Sequence, residues 1–186
     1  MSSQVEELIP LSLGKGSTMR TFIDHSKPDD SPDHNWVEVT YDGKDDSEVF
    51  DVPRHWHREH DEIMEVLEGR MIFNLDDKEM VISAGDPPLL ITRGRIHGGR
   101  GIKGERVRLT ERTRPSGTFK AQFFQDLLQN ERFPGFLLAT RVFYDGDMFL
   151  ALPGGFKTLD YLFITIVGFI AKAFVPAKPA TLKRMK

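Results

Sequence analysis

The 186-residue sequence predicts an all-β sandwich or barrel with helices appended at its C-terminal end. Two observations predict it. Between residues 36 and 113 the chain divides into short runs rich in β-formers, and turn residues separate them at Asp42-Gly43, Gly69, Asp76-Asp77, Gly85-Asp86 and Gly98-Gly99. Beyond Pro115 the apolar spacing becomes helical instead.

The elements follow in order. Residues 1–34 hold a polar, Pro- and Asp-rich stretch at 27–33 and read as an extended N-terminal arm with one strand near 19–23. Strands are predicted at 36–41, 48–52, 54–58, 62–68, 70–75, 79–83, 89–92 and 107–113. With no helices between them, they belong to an antiparallel sandwich or barrel occupying 35–115. Residues 116–186 form a C-terminal helical extension. In its first helix, 119–130, Phe123, Phe124, Leu127 and Leu128 make one stripe, ended by Pro134-Gly135. A second helix is predicted over 158–174, and the basic tail from Pro176 onward is expected to fray.

Composition narrows the partners. A net charge of −3 gives no electrostatic case for nucleic acid or an anionic membrane. Cysteine is absent, so a metal would rest on His, carboxylate or backbone oxygen. That absence fits a reducing compartment, and residues 1–7 lack the basic and apolar regions of a signal peptide, so a cytoplasmic location is expected. The uncharged run 161–171 falls short of the roughly 20 residues a membrane span needs. Leu159, Leu162, Phe163, Ile166 and Ile170 share a helix face, expected to dock on the barrel or on a second subunit in preference to a membrane surface, because an interfacial helix wants a polar, basic second face.

The chemistry-bearing stretch runs from Pro53 to Gly69. His55 and His57, two apart on a strand, point to one face. Glu62 follows after enough chain for a tight turn and the start of an adjacent antiparallel strand. His97 lies past a further strand, three residues after Gly94, where it could cross the barrel. Three imidazoles and a carboxylate suit Fe(II), Mn, Ni, Cu or Zn and leave coordination positions open.

His55-x-His57-x4-Glu62-x6-Gly69 resembles the first motif of the cupins, and Gly85-Asp86 through Gly94-x2-His97 resembles the second. Together they cover roughly residues 48–101. Val49, Thr92 and Gly101 replace the usual glycine, proline and asparagine, and the second motif carries one extra residue. The resemblance implies a jelly-roll β-barrel holding one divalent metal on His55, His57, Glu62 and His97. A looser likeness, through Gly85-Asp-Pro-Pro and Phe123-Phe124-Gln-Asp-Leu-Leu, is to small fungal cupins of polyketide-biosynthesis clusters, some of them oxidoreductases.

Neighbouring residues are weighed on the same grounds. His60 is expected to be a solvated turn residue, and Glu65, of opposite parity to Glu62, should face away. Trp56 should point away from the metal, into an arm, a helix or a second subunit. Arg95 is a candidate for a substrate's charge, although Arg93, Arg95 and Arg100 fit surface ion pairs better. Met64 and Val66 share the Glu62 parity, and Met71, Phe73 and Leu75 alternate on the next strand; Met64 and Phe73 are candidate substrate contacts. The expected activity is metal-dependent oxidation of a small, partly apolar, possibly polyketide-derived metabolite, with Fe(II) the preferred metal. A non-redox decarboxylase, isomerase or cyclase, or a non-catalytic small-molecule-binding cupin, are the alternatives. A homodimer is expected, with Trp56 or the C-terminal helix near its interface.

Overall fold

A computed structural model describes residues 4–128 and 134–185. The arm contributes β1 (Val5–Glu7), β2 (Leu11–Ser12) and β3 (Ser17–Asp24). The barrel follows as β4 (Asn35–Tyr41), β5 (Asp51–Trp56), β6 (Asp61–Glu68), β7 (Arg70–Leu75), β8 (Lys78–Ser83), β9 (Leu89–Ile91), β10 (His97–Gly101) and β11 (Val107–Arg114). The extension holds α1 (Phe119–Leu127), α2 (Phe136–Asp145), β12 (Phe149–Leu150) and α3 (Lys157–Ala171).

Two antiparallel sheets result. One runs β1-β3-β4-β11-β6-β9 with β2 beside β3, and the other runs β12-β5-β10-β7-β8. The arm is thus built into the first sheet, with β3 paired to β4 along its length. Strict alternation on β4 buries Asn35, Val37, Val39 and Tyr41 and leaves the intervening residues half-buried, as expected of a strand with one face on a core. Val37 and Val39 meet Val66, Met71, Phe73 and Leu109 between the sheets.

Gly69 makes the turn from β6 to β7. Its φ is +72°, and a Cβ there would lie 2.0 Å from the Arg106 carbonyl oxygen. Gly69→Ala should therefore cost more than about 1 kcal/mol, from strained backbone and a contact that backbone cannot yield. The midpoint of a denaturant titration measures it, and an unchanged midpoint would show that the turn relaxes.

Four sequence expectations need correcting here. Residues 48–52 and 54–58 are not two strands. A single β5 runs through Pro53, which coincides with the bulge between His97 and Gly99 on β10, where a missing ladder donor is tolerated. Gly98 and Gly99 are not a turn but part of β10, pressed between β5 and β7. A Cβ on Gly98 would meet the Val52 oxygen at 2.7 Å, and one on Gly99 would meet the Met71 methyl at 2.7 Å. The tail is not frayed: Lys183 exchanges two backbone bonds with the Gln125 side chain, and Leu182 packs against Leu8, Ile23 and Ala121. The fourth correction is α2, which carries no clear sequence signal because its Thr, Val, Phe and Tyr residues suit strands equally well. Its packing against α3 makes it a helix.

The first helix ends at Leu127 with its cap at Leu128; the predicted extension to Gln129 and Asn130 lies outside the described residues. Trp56 does face away from the histidines. It stacks on Phe149 at 4.6 Å and donates its indole N–H to Asp160 of α3. The chain's own helix buries it, so Trp56 is not available to an interface with another subunit.

Candidate metal centre

His55 lies on β5, His57 one residue past its end, and His97 opens β10 directly opposite His55 in the pairing register. The three imidazoles therefore belong to one sheet. Glu62 belongs to the other, since β6 pairs with β11 and β9 rather than with β5. The residues between His57 and Glu62 cross from sheet to sheet. It is the carboxylate, and not His97, that comes from across the barrel.

Each ring is held from behind. The Nδ1–H of His55 donates to the Pro53 oxygen at 2.8 Å, that of His57 to the Asp147 oxygen at 2.7 Å, and that of His97 to the Arg95 oxygen at 3.0 Å. These bonds fix the tautomer and leave every Nε2 a bare lone pair. The His57 Nε2 stands 3.0 Å from one Glu62 oxygen and the His97 Nε2 2.9 Å from the other, yet neither nitrogen has a hydrogen-bond partner. All four ligand atoms lie within 4.8 Å of one another, and all four residues are buried. Lone pairs facing carboxylate oxygens with no proton to share form a donor set that fits a cation. The group could hold a metal ion.

Electrostatics agree with that fit. Burial, reinforced by the neighbouring imidazoles, holds His55 well below the usual histidine range. Burial likewise brings His57 down to about 4. Both rings are thus neutral and able to donate lone pairs at physiological pH. Burial alone would raise the Glu62 carboxyl, but the Lys120 ammonium and His57 hold it well below the ordinary range.

Lys120 is a residue the sequence reading missed. From the first turn of α1 it reaches Glu62 at 2.5 Å and Glu111 of β11 at 2.7 Å. Burial would lower its pKa, but the two carboxylates raise it above the normal lysine value. Glu111 moves the other way, pushed up by burial and then by the charge of Glu62. The available signal was a lysine three and four residues before Phe123 and Phe124, on the apolar stripe of a predicted helix. Asp147 was also missed. Its backbone oxygen holds His57, while its carboxylate accepts the backbone N–H of Arg58 and Glu59 and pairs with His60 at 3.2 Å. Burial would lower the His60 pKa, but the bond to Asp147 raises it. His60 is therefore a buried anchor of the crossing and not a solvated turn residue.

A cavity of 410 Å³ opens beside the cluster, within the range of small-molecule sites. Met64, Phe73, Leu109, Phe123 and Phe124 line it, with Lys120 and Glu111 among its few charged groups. Gly98 and Gly99 border it too. Arg95 does not line it. That guanidinium is half-exposed and paired with Asp76, as Arg93 is with Asp61 and Arg100 with Glu79. Glu65 turns outward to Arg112.

No protein-family model matches the chain, and no curated protein matches it. Solved structures resemble it in backbone. An RmlC-like cupin from Shewanella frigidimarina is 18% identical over 59% of this chain and 85% of that one, with a TM-score of 0.43. KdgF from Halomonas sp. is 19% identical over 57% of this chain and 86% of its own, at 0.44. The polyketide cyclase RemF from Streptomyces resistomycificus is 23% identical over 59% and 75%, at 0.42. Two antiparallel sheets enclosing the cluster are the arrangement of a jelly-roll barrel.

Proposed function

We propose that the chain is a metal-dependent oxidoreductase acting on a small, largely apolar organic molecule, with His55, His57, Glu62 and His97 as the metal ligands. One observation carries the reading: bare imidazole nitrogens and a carboxylate converge on the wall of a cavity otherwise lined mainly by apolar side chains. A divalent ion held there, Fe(II) in the first instance with Zn, Mn, Ni and Cu as the other candidates, would supply open positions for a substrate oxygen and for dioxygen as the oxidant.

The chain's own residues do the rest. Lys120 engages one Glu62 oxygen and so orients the carboxylate with its other oxygen towards His97. Met64 and Phe73 bind the apolar body of the substrate and exclude water. A ring or alkyl chain fits these walls, which is compatible with a polyketide-derived intermediate of secondary metabolism. A cytoplasmic homodimer belongs to the same proposal, to be checked by light scattering.

The Lys120–Glu111 pair favours a second reading. An ammonium beside a carboxyl of raised pKa is suited to stabilising an enolate or relaying a proton, which is decarboxylase, isomerase or cyclase chemistry. Oxygen dependence separates the two. Protein loaded with Fe(II) should turn over small aromatic polyketides in air and lose that turnover under strict anaerobiosis. Undiminished anaerobic turnover with no other electron acceptor, or equal activity with Zn, would assign the site to the second reading.

A further inference from the structure

The outward face of α3 is largely apolar, with exposed Thr158 in its first turn and half-buried Thr165 at its edge. Leu159, Leu162, Ile166, Phe169 and Ile170 recur at three- and four-residue spacing and all are exposed, Phe169 at 66%. Asp160, Ile164, Gly168 and Ala171 form the inward face. Exposed Phe156 and Phe174 flank the two ends of the helix, at 64% and 71%. Phe136, exposed at the start of α2, brings its ring to 6.3 Å from Phe163. Single exposed apolar residues are ordinary, but a contiguous run along a whole helix face marks a surface that something covers.

Charge indicates what covers it. From Met148 to the end, the sequence holds six Lys or Arg against one acid, Asp160, in a chain of net charge −3; of these, Lys183 and Arg184 lie by α1 and the N-terminal arm, where Arg184 pairs with Glu6. Asp160 is buried and committed to the Trp56 indole and the Leu152 N–H. Among its described residues this segment therefore presents no exposed acidic side chain, while Lys157 and Lys172 are exposed at the two ends of the helix and Lys178 in the tail that follows. Asp145, on α2, pairs with Lys172. The whole-chain charge conceals this local excess, which is why composition alone spoke against an anionic surface.

We propose that this face docks on a lipid bilayer bearing anionic headgroups, with α3 lying in the plane of the interface. The helix is about 22 Å long and one side is already packed on protein, so it lies on the membrane and does not cross it. Among the described residues no helix is long and apolar enough to span. Apolar side chains would enter the acyl boundary, the phenyl rings at either end would sit near headgroup level, and the lysines would meet the phosphates. A second copy fits less well. A two-fold contact through this face would bring the lysines of one helix towards those of the other, with only Asp145, already paired with Lys172, to answer them.

The test is sedimentation of the metal-loaded full chain with vesicles of phosphatidylcholine, with and without phosphatidylserine. The chain should pellet with the mixed vesicles, and about tenfold less with phosphatidylcholine alone or at high salt. The double variant I166E/F169E should reduce pelleting by about tenfold or more. Its metal content and circular dichroism should be unchanged, because both positions point outward. Wild type that stays in the supernatant, or a double variant that pellets equally, would overturn the proposal. So would a wild-type dimer that ignores vesicles and that the double variant converts to monomer, which would assign the face to a second copy.

Discussion

His57→Ala and His97→Ala are each expected to abolish stoichiometric metal binding while the chain stays folded. Both imidazoles have a bare Nε2 within 3.0 Å of Glu62 and an Nδ1–H committed to a carbonyl. The affinity lost should exceed the roughly 10–100-fold that removing a partner of a ligand costs, because here the ligand atom itself goes. Folding loses one hydrogen bond in each case, about 1 kcal/mol. Metal content per chain, measured beside the circular-dichroism spectrum, reads the two effects separately. Full occupancy in the double alanine variant would end the assignment. His60→Ala is the control and should bind metal at full stoichiometry.

Arg141→Ala should be the most damaging single change outside the metal centre. The Arg141 guanidinium is 1% exposed and forms a two-pronged pair with Asp126. It lies 3.6 Å from Asp145, one turn further along α2. The pair joins α2 to α1. Truncating the arginine takes its two-pronged partner from a buried carboxylate, and breaking such buried pairs costs up to about 3–5 kcal/mol. Replacing both members together, as Arg141→Met with Asp126→Leu, should restore part of that stability, because neither charge of the pair is then buried without the other. Denaturant midpoints of the three variants decide it. If the double variant is no more stable than the single one, the pair acts through something other than charge.

The barrel and its four ligand candidates were legible because strand parity, turn residues and motif spacing are local properties. His55, His57, Glu62 and His97 were named from spacing, and they do converge. Which strand lies beside which is not local. The sequence alone could not say that β5 and β6 part company into different sheets, so Glu62 was placed on the neighbouring strand rather than across the barrel. Lys120, Glu111 and Asp147 escaped for the same reason. Each lies more than 45 residues from Glu62 in sequence, and only the pairing of β11 with β6 and the packing of α1 and the α2–β12 loop on the barrel bring them in. His60 was misjudged because turn residues are usually solvated; this one is covered by Phe119 and held by Asp147.

Asp147 carries a lesson for anyone trimming this chain. A version cut after residue 115 would keep all four ligand candidates and every strand they stand on. It would lose the carbonyl that fixes the tautomer of His57, the carboxylate that pins the His57-to-Glu62 crossing, and the ammonium that orients Glu62. The helices would also leave Trp56 bare. Grafting the motif onto another barrel should accordingly transplant the letters of the site without the contacts that hold its side chains in place.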